Sequence, residues 1–239
     1  MVRRHFTFSQ PDFLSWPRLR IPATLLIIFV SSFYWNLNST AATKGPFRCS
    51  WKKVQPKAVF SLSSIELDQI GNGKFRFQKL ESDLVTVDFR INGSKVALLY
   101  NLFLQADFLN EAKNFASQRK VADMGTKTIR FESGQRNREV TFNYTEDKTL
   151  QEINNFFENL DQQEKDLFEL ELALKYDRLG IPKKLDALEQ EFSANRIVAP
   201  ERFKPILEKI SEDDSLINLA RKEARKLLSK VSKMQLETH

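Results

Sequence analysis

The stretch Val85-Thr86-Val87-Asp88-Phe89-Arg90-Ile91 alternates apolar and polar side chains without a break. Successive side chains of a strand point to opposite faces of a sheet, so this pattern predicts a strand with one buried and one wet face. The same period recurs on both sides of it. Phe75 and Phe77 alternate with Lys74, Arg76 and Gln78, and Gly71-Asn72-Gly73 before them is a turn signal. Phe60 and Leu62 alternate with Ser61 and Ser63; the phase then slips at Ser64 to Ile65 and Leu67, which predicts a bulge there. Farther on, Ile129 and Phe131 alternate with Arg130 and Glu132. After the loop Ser133 to Asn137, Val140, Phe142 and Tyr144 alternate with Glu139, Thr141 and Asn143. These segments predict a roughly five-stranded, mainly antiparallel sheet with one apolar and one charged face.

One helix interrupts the strands. Ser94 is its expected N-cap, and Val96, Leu99, Leu102, Phe103 and Ala106 follow at helical spacing. From Thr149 onward the periodicity is helical throughout. Leu150, Ile153, Phe156, Phe157 and Leu160 form one amphipathic segment. Asp161-Gln162-Gln163-Glu164 has capping-box spacing and predicts a new helix start. In that second helix Leu167, Leu170 and Leu174 mark one stripe, and Phe168, Leu172, Tyr176 and Leu179 another. Two apolar stripes on one helix predict burial between partners. Gly180-Ile181-Pro182 predicts its end. Further helices are expected around Leu185 to Phe192, from Pro200, and after an Asp213-Asp214-Ser215 cap. The class is therefore α+β, in which helices cover one face of an antiparallel sheet. The expected organisation is a sheet-plus-helix domain over 58–148 and an all-helical region over 149–236.

Ahead of these lies a different kind of sequence. Residues 21–35, IPATLLIIFVSSFYW, form an uncharged apolar run, and Arg3, Arg4, Arg18 and Arg20 stand only on its N-terminal side. Extended over Leu19 to Leu37, a helix would reach about 28 Å, close to the hydrocarbon thickness of a bilayer. Trp16 precedes the run, and Tyr34 and Trp35 close it, as an aromatic belt would. The expected arrangement is a basic cytoplasmic leader over 1–20, a transmembrane helix or signal segment over 21–37 in contact with the lipid bilayer, and a linker over 38–57. The charge asymmetry puts the N-terminus in the cytoplasm and the body in the periplasm or outside the cell. The short apolar run and the small residues Ser39 to Ala42 also fit a cleaved signal peptide, which would make the body a secreted protein.

Composition removes several chemistries. The two histidines are His5 and His239, so the body between them holds none. That excludes serine–histidine and cysteine–histidine nucleophilic catalysis and histidine-based zinc sites there. Cys49 is the single cysteine, which excludes intrachain disulfides and thiolate clusters. No glycine-rich phosphate loop occurs, and Glu212-Asp213-Asp214 lacks the alternating ligands and turn glycine of a calcium loop. The net charge of +6 divides into +9 over residues 1–120, −7 over 121–214 and +4 over 215–239. Basic ends around an acidic middle do not make the continuous basic patch of a nucleic-acid binder. No catalytic, cofactor or metal-ligating set emerges, and no cofactor is expected.

Three functional expectations from different classes remain. The first is a membrane-anchored, non-catalytic interaction or scaffold protein of the cell envelope, meeting a protein partner through its C-terminal helices. The second is a histidine-independent hydrolase or carbohydrate-binding domain using carboxylates of the charged sheet face. For it, Glu132 and Glu139 lie on one expected hairpin and Asp88 shares their face, although ion pairs to Arg130 and Arg138 would equally account for them. The third is a peripheral lipid-facing protein using the basic last helix, whose Arg221, Lys222, Arg225, Lys226, Lys230 and Lys233 suit a membrane surface or a partner groove, or else their own helix C-terminus and the acidic residues over 146–191 of the same fold.

Overall fold

A computed structural model of the chain describes residues 46–236, apart from 81, 118 and 120. The basic leader, the apolar segment 21–37 and the first part of the expected linker lie outside the described residues. No helix among the described residues is long and apolar enough to cross a membrane.

The fold is α+β, with a six-stranded antiparallel sheet and helices. The strands are β1 (Phe47–Val54), β2 (Phe60–Asp68), β3 (Asn72–Lys79), β4 (Leu84–Arg90), β5 (Thr126–Ser133) and β6 (Arg136–Phe142). Their order across the sheet is β4-β3-β2-β1-β5-β6, and every neighbouring pair is antiparallel. The helices are α1 (Gly93–Gln105), α2 (Lys148–Tyr176), α3 (Ile181–Ser193), α4 (Lys204–Glu212) and α5 (Asn218–Leu236).

The first correction concerns residues 46–57. They contain β1, which lies between β2 and β5 in the middle of the sheet. Phe47, Cys49 and Trp51 point into the core while Arg48 and Lys52 are exposed. The alternation that makes a strand is thus present, and the polar residues around it are those of its wet face. The bulge also moves, since the register shift between β2 and β3 falls between Phe60 and Leu62. Ser63 then joins Ile65 and Leu67 on the buried side.

The buried face is strongly aromatic. Phe103 of α1 stacks on Phe131 of β5 with ring centres 4.2 Å apart, and Phe157 of α2 stacks on Trp51 of β1 at 6.3 Å. Trp51 also donates its indole N–H to Asn154 Oδ1 of α2 at 3.1 Å, so the largest core side chain leaves no polar atom unpaired. The cap of α1 is Asn92, not Ser94: its side chain accepts from the Ser94 N–H at 3.1 Å.

The expected break at Asp161 is absent. α2 runs unbroken for 29 residues, about 43 Å at the usual rise. Its first half, Leu150 to Leu160, packs into the sheet core, and Leu167 to Leu174 pack into a second core made with α3, α4 and α5. Between the two lies a buried polar band of Asp161, Gln163, Glu164 and Lys165. Each member has work other than capping. Lys165 meets Asp161 at 2.7 Å, and Gln163 Oε1 accepts from the Val198 and Ala199 N–H groups at 3.1 and 2.8 Å. Arg202 forms a two-pronged pair with Glu164, both contacts 2.6 Å, and its guanidinium lies over the Phe89 ring.

The later helix boundaries also shift. α2 ends at Tyr176, Asp177 Oδ1 accepts from the Gly180 N–H at 3.1 Å, and Ile181 starts α3 directly with Pro182 in its first turn. Asp213 forms a turn by accepting from Ser215 at 3.0 Å, and α5 begins only at Asn218. The basic face of α5 is partly answered within the fold: Glu189 of α3 receives Lys226 at 3.0 Å and Lys230 at 2.7 Å.

Replacing Arg202 with Ala leaves Glu164 buried and uncompensated, so a loss of about 3–5 kcal/mol is expected in urea unfolding. A Glu164→Gln/Arg202→Met double variant should lose less than Arg202→Ala alone. One pH effect follows from the same helix. Burial pushes the Asp166 carboxyl up to about 6, with Glu191 and Glu169 adding repulsion. Its folded value lies above its unfolded one, so ionisation near neutrality opposes folding. Stability should therefore rise as pH falls from 7 toward 5, and melts of Asp166→Asn should lack that component.

Candidate functional site

The open face of the sheet carries a trough of about 620 Å³. Arg48, Ser50, Glu66, Asp68, Lys74, Asp88, Arg130 and Glu132 line it, drawn from five of the six strands. Strand register explains their arrangement. One row across the sheet reads Asp88, Lys74, Glu66, Ser50, Arg130, Glu139, each directly opposite the next. Charge alternates along this row, with the Ser50 hydroxyl side chain at its centre. The next row reads Asp68, Arg48, Glu132, Asn137. Opposite charges in facing positions stabilise a sheet, whereas like charges would not.

One contact joins directly facing residues, one runs diagonally between strands and one lies along a single strand. Lys74 meets Asp88 at 3.5 Å, Arg130 meets Glu132 at 2.6 Å, and Arg76 pairs with Glu66. Asp68 is used locally, accepting from the Ile70 and Asn72 N–H groups at 3.0 and 2.9 Å to close the β2–β3 turn. Cys49 also borders the trough, but its side chain belongs to the core and points at the Leu67 carbonyl at 3.9 Å. Burial raises the Cys49 thiol above its ordinary value, which opposes thiolate chemistry.

The three carboxylates singled out from sequence are brought onto one face but not into one constellation. Asp88 and Glu132 sit four strands apart, about 19 Å at the usual strand spacing. Two carboxylates acting on one glycosidic bond stand about 5–10 Å apart. Glu139 lies on the strand next to Glu132, yet Arg130 sits opposite Glu139 and binds Glu132, so a guanidinium intervenes. Arg138 does not pair with either acid; it donates to the Phe108, Asn110 and Lys113 carbonyls of the loop after α1. Arg48 and Ser50 escaped the sequence reading because β1 did. The alternation of Phe47, Cys49 and Trp51 with them was the available signal. No group of three or more metal-binding side chains occurs among the described residues.

A second surface stands out on the helical region. Tyr176 is 71% exposed and Leu179 83%, at the turn between α2 and α3, and Leu172 precedes them on the same stripe. Arg178 in that turn reaches Asp213 at 3.5 Å and bonds Ser215, tying it to the α4–α5 turn, where Ile217 and Leu219 are also exposed. The stripe expected to be buried between partners is therefore covered only in part, at Phe168, which packs edge-on against Phe77 at 4.9 Å.

No protein-family model matches the chain, and no curated protein matches it.

Gly73 shapes the trough floor. A Cβ there would come within 2.4 Å of the Phe89 ring, which borders the same trough. Gly73→Ala should push that ring aside and cost about 1–3 kcal/mol, as overpacking does. Gly93, where a Cβ meets nothing and φ is not positive, is the reference, and thermal melts of Gly73→Ala and Gly93→Ala compare the two.

Proposed function

We propose that this chain is a membrane-anchored, non-catalytic interaction or scaffold protein of the cell envelope. Segment 21–37 holds it in the bilayer with the N-terminus cytoplasmic, and the body meets a protein partner through the C-terminal helices. The observation that carries the partner reading is the exposed apolar surface of Leu172, Tyr176, Leu179, Ile217 and Leu219 across two turns joined by Arg178. Large apolar side chains gathered on a soluble surface mark sites of association. The pairing of the trough's charges supports the same reading, because its carboxylates face cations instead of a reacting bond.

Carbohydrate binding is the second reading, favoured by the volume of the trough and the charged side chains that line it. It uses the same face as the hydrolase reading without needing two carboxylates across one bond.

Crosslinking in native membranes, with the N-terminus of the mature chain read from the same sample, tests the first reading. A specific partner is expected with the unaltered chain and its loss with Leu179→Asp. Recovery of no specific partner, or of the same partner from both, would reject the surface. Calorimetric oligosaccharide binding weakened by Glu132→Gln would favour the second reading.

A further inference from the structure

The two margins of the sheet differ. At the β6 margin, Arg136 and Arg138 reach the carbonyls of the loop after α1, and that loop returns through Ser117 and Met124 to bond Tyr144 and Asn143, just beyond the strand. β4, at the other margin, has no such cover along most of its length. Its register gives the direction of its backbone groups. The Ile91 N–H donates to the Gly71 carbonyl at 3.0 Å, and this pair continues the register Arg90 to Asn72 and Phe89 to Gly73. Bonded and non-bonded pairs alternate along an antiparallel ladder. Phe89, Val87 and Val85 therefore turn their N–H and C=O groups toward β3. Leu84, Thr86, Asp88 and Arg90 turn theirs outward. The Asn72 N–H agrees, since Asp68 takes it and Arg90 does not.

The outward groups of Leu84, Thr86 and Asp88 meet no partner among the described residues. Unpaired strand edges invite another strand, and natural edges are blunted by proline, lysine or a bulge. β4, LVTVDFR, has none of these, and its two charges, Asp88 and Arg90, are of opposite sign and lie toward one end. Leu84 is half exposed on it, and Val85 and Val87 are only half buried at the margin of the core.

We infer that β4 is a homodimer seam, at which the β4 strands of two copies pair antiparallel around a two-fold axis at Val87. The strand is self-complementary in that register. Leu84 falls opposite Arg90, Val85 opposite Phe89, Thr86 opposite Asp88, and Val87 opposite itself. The parity is right, because outward-turned residues meet outward-turned residues over the whole strand. Apolar side chains meet apolar ones on the core side. On the wet side the Asp88 carboxylate meets the Thr86 hydroxyl, and no two like charges face directly. The inference is independent of membrane attachment.

In this register Val87 forms a non-bonded pair with its copy, Cα atoms about 4.5 Å apart and within reach of a disulfide. Full-length Val87→Cys in detergent micelles under mild oxidation should give a disulfide-linked species of twice the mass. Leu98→Cys, exposed on α1, is the control for random collision. Buried Cys49 should not contribute. Adding Thr86→Pro should abolish the product, because it removes an outward N–H while leaving the bonds to β3. Light scattering reads the same question without a cysteine: the unaltered chain should have twice the protein mass of Thr86→Pro. A monomeric unaltered chain, or Val87→Cys crosslinking no faster than Leu98→Cys, overturns the inference. So does a Val87→Cys adduct with a different protein.

Discussion

One helix must serve two cores, and the remaining helical packing depends on how it does so. α2 enters the sheet core with Leu150 to Leu160 and leaves it for the helical core with Leu167 to Leu174. At the crossing the buried residues are polar: Asp161, Gln163, Glu164 and Lys165. Gln163 and Glu164 bind the segment from Val198 to Arg202, which leads into α4. A buried ion pair is a weak source of net stability, since desolvation consumes most of the attraction. Its contribution here is geometric. Two backbone N–H groups and one guanidinium have a single place on α2 to go, and that fixes where the second core sits on the long helix.

The sheet shows the complementary arrangement. Its inner face gains stability from aromatic area, with Trp51, Phe75, Phe77 and Phe131 almost wholly buried. Its outer face is wet, and exposed ion pairs there contribute little each. What the alternating rows provide is register. A slip of one residue would turn every charge inward and every aromatic outward. A slip of two toward Asn72 would preserve the faces but leave Glu66 without a facing cation, whereas a slip toward Arg76 would keep one. The charge rows thus discriminate against one of the two registers that hydrophobic alternation alone leaves equivalent.

Much of the sheet was legible in the sequence because its signal is local. β3, β4, β5 and β6 each carry clean alternation, and the helix at Gly93–Gln105 carries clean helical spacing. β1 was not legible as a strand because Gly45-Pro46 and its lysines look like linker, and only tertiary pairing on both sides turns a short alternating stretch into the centre of a sheet. The unbroken α2 failed for a related reason. Asp161 and Glu164 have capping-box spacing, but their carboxylates are claimed by Lys165 and, 38 residues away, by Arg202. Competition from a distant side chain leaves no trace in local spacing. The trough inherits the first failure: without β1, Glu66 and Arg130 have no common row, and the charged face reads as two unrelated halves.

The trough and the β4 margin are parts of one surface. Asp88 lines the first and belongs to the second, and Lys74 bonds it from β3. In the paired arrangement the row Glu66, Lys74, Asp88 would run on into Thr86 and then Arg76 of the second copy. The charged face would then be continuous across the two-fold axis, with Asp88 flanked by a cation on one side and a hydroxyl on the other. That face would have length, repeated polarity and a symmetric seam. The exposed apolar side chains of Tyr176 and Leu179 stand at the turn between α2 and α3 and not on this face. Dimerisation through β4 would use the sheet edge and leave those side chains open to a different protein.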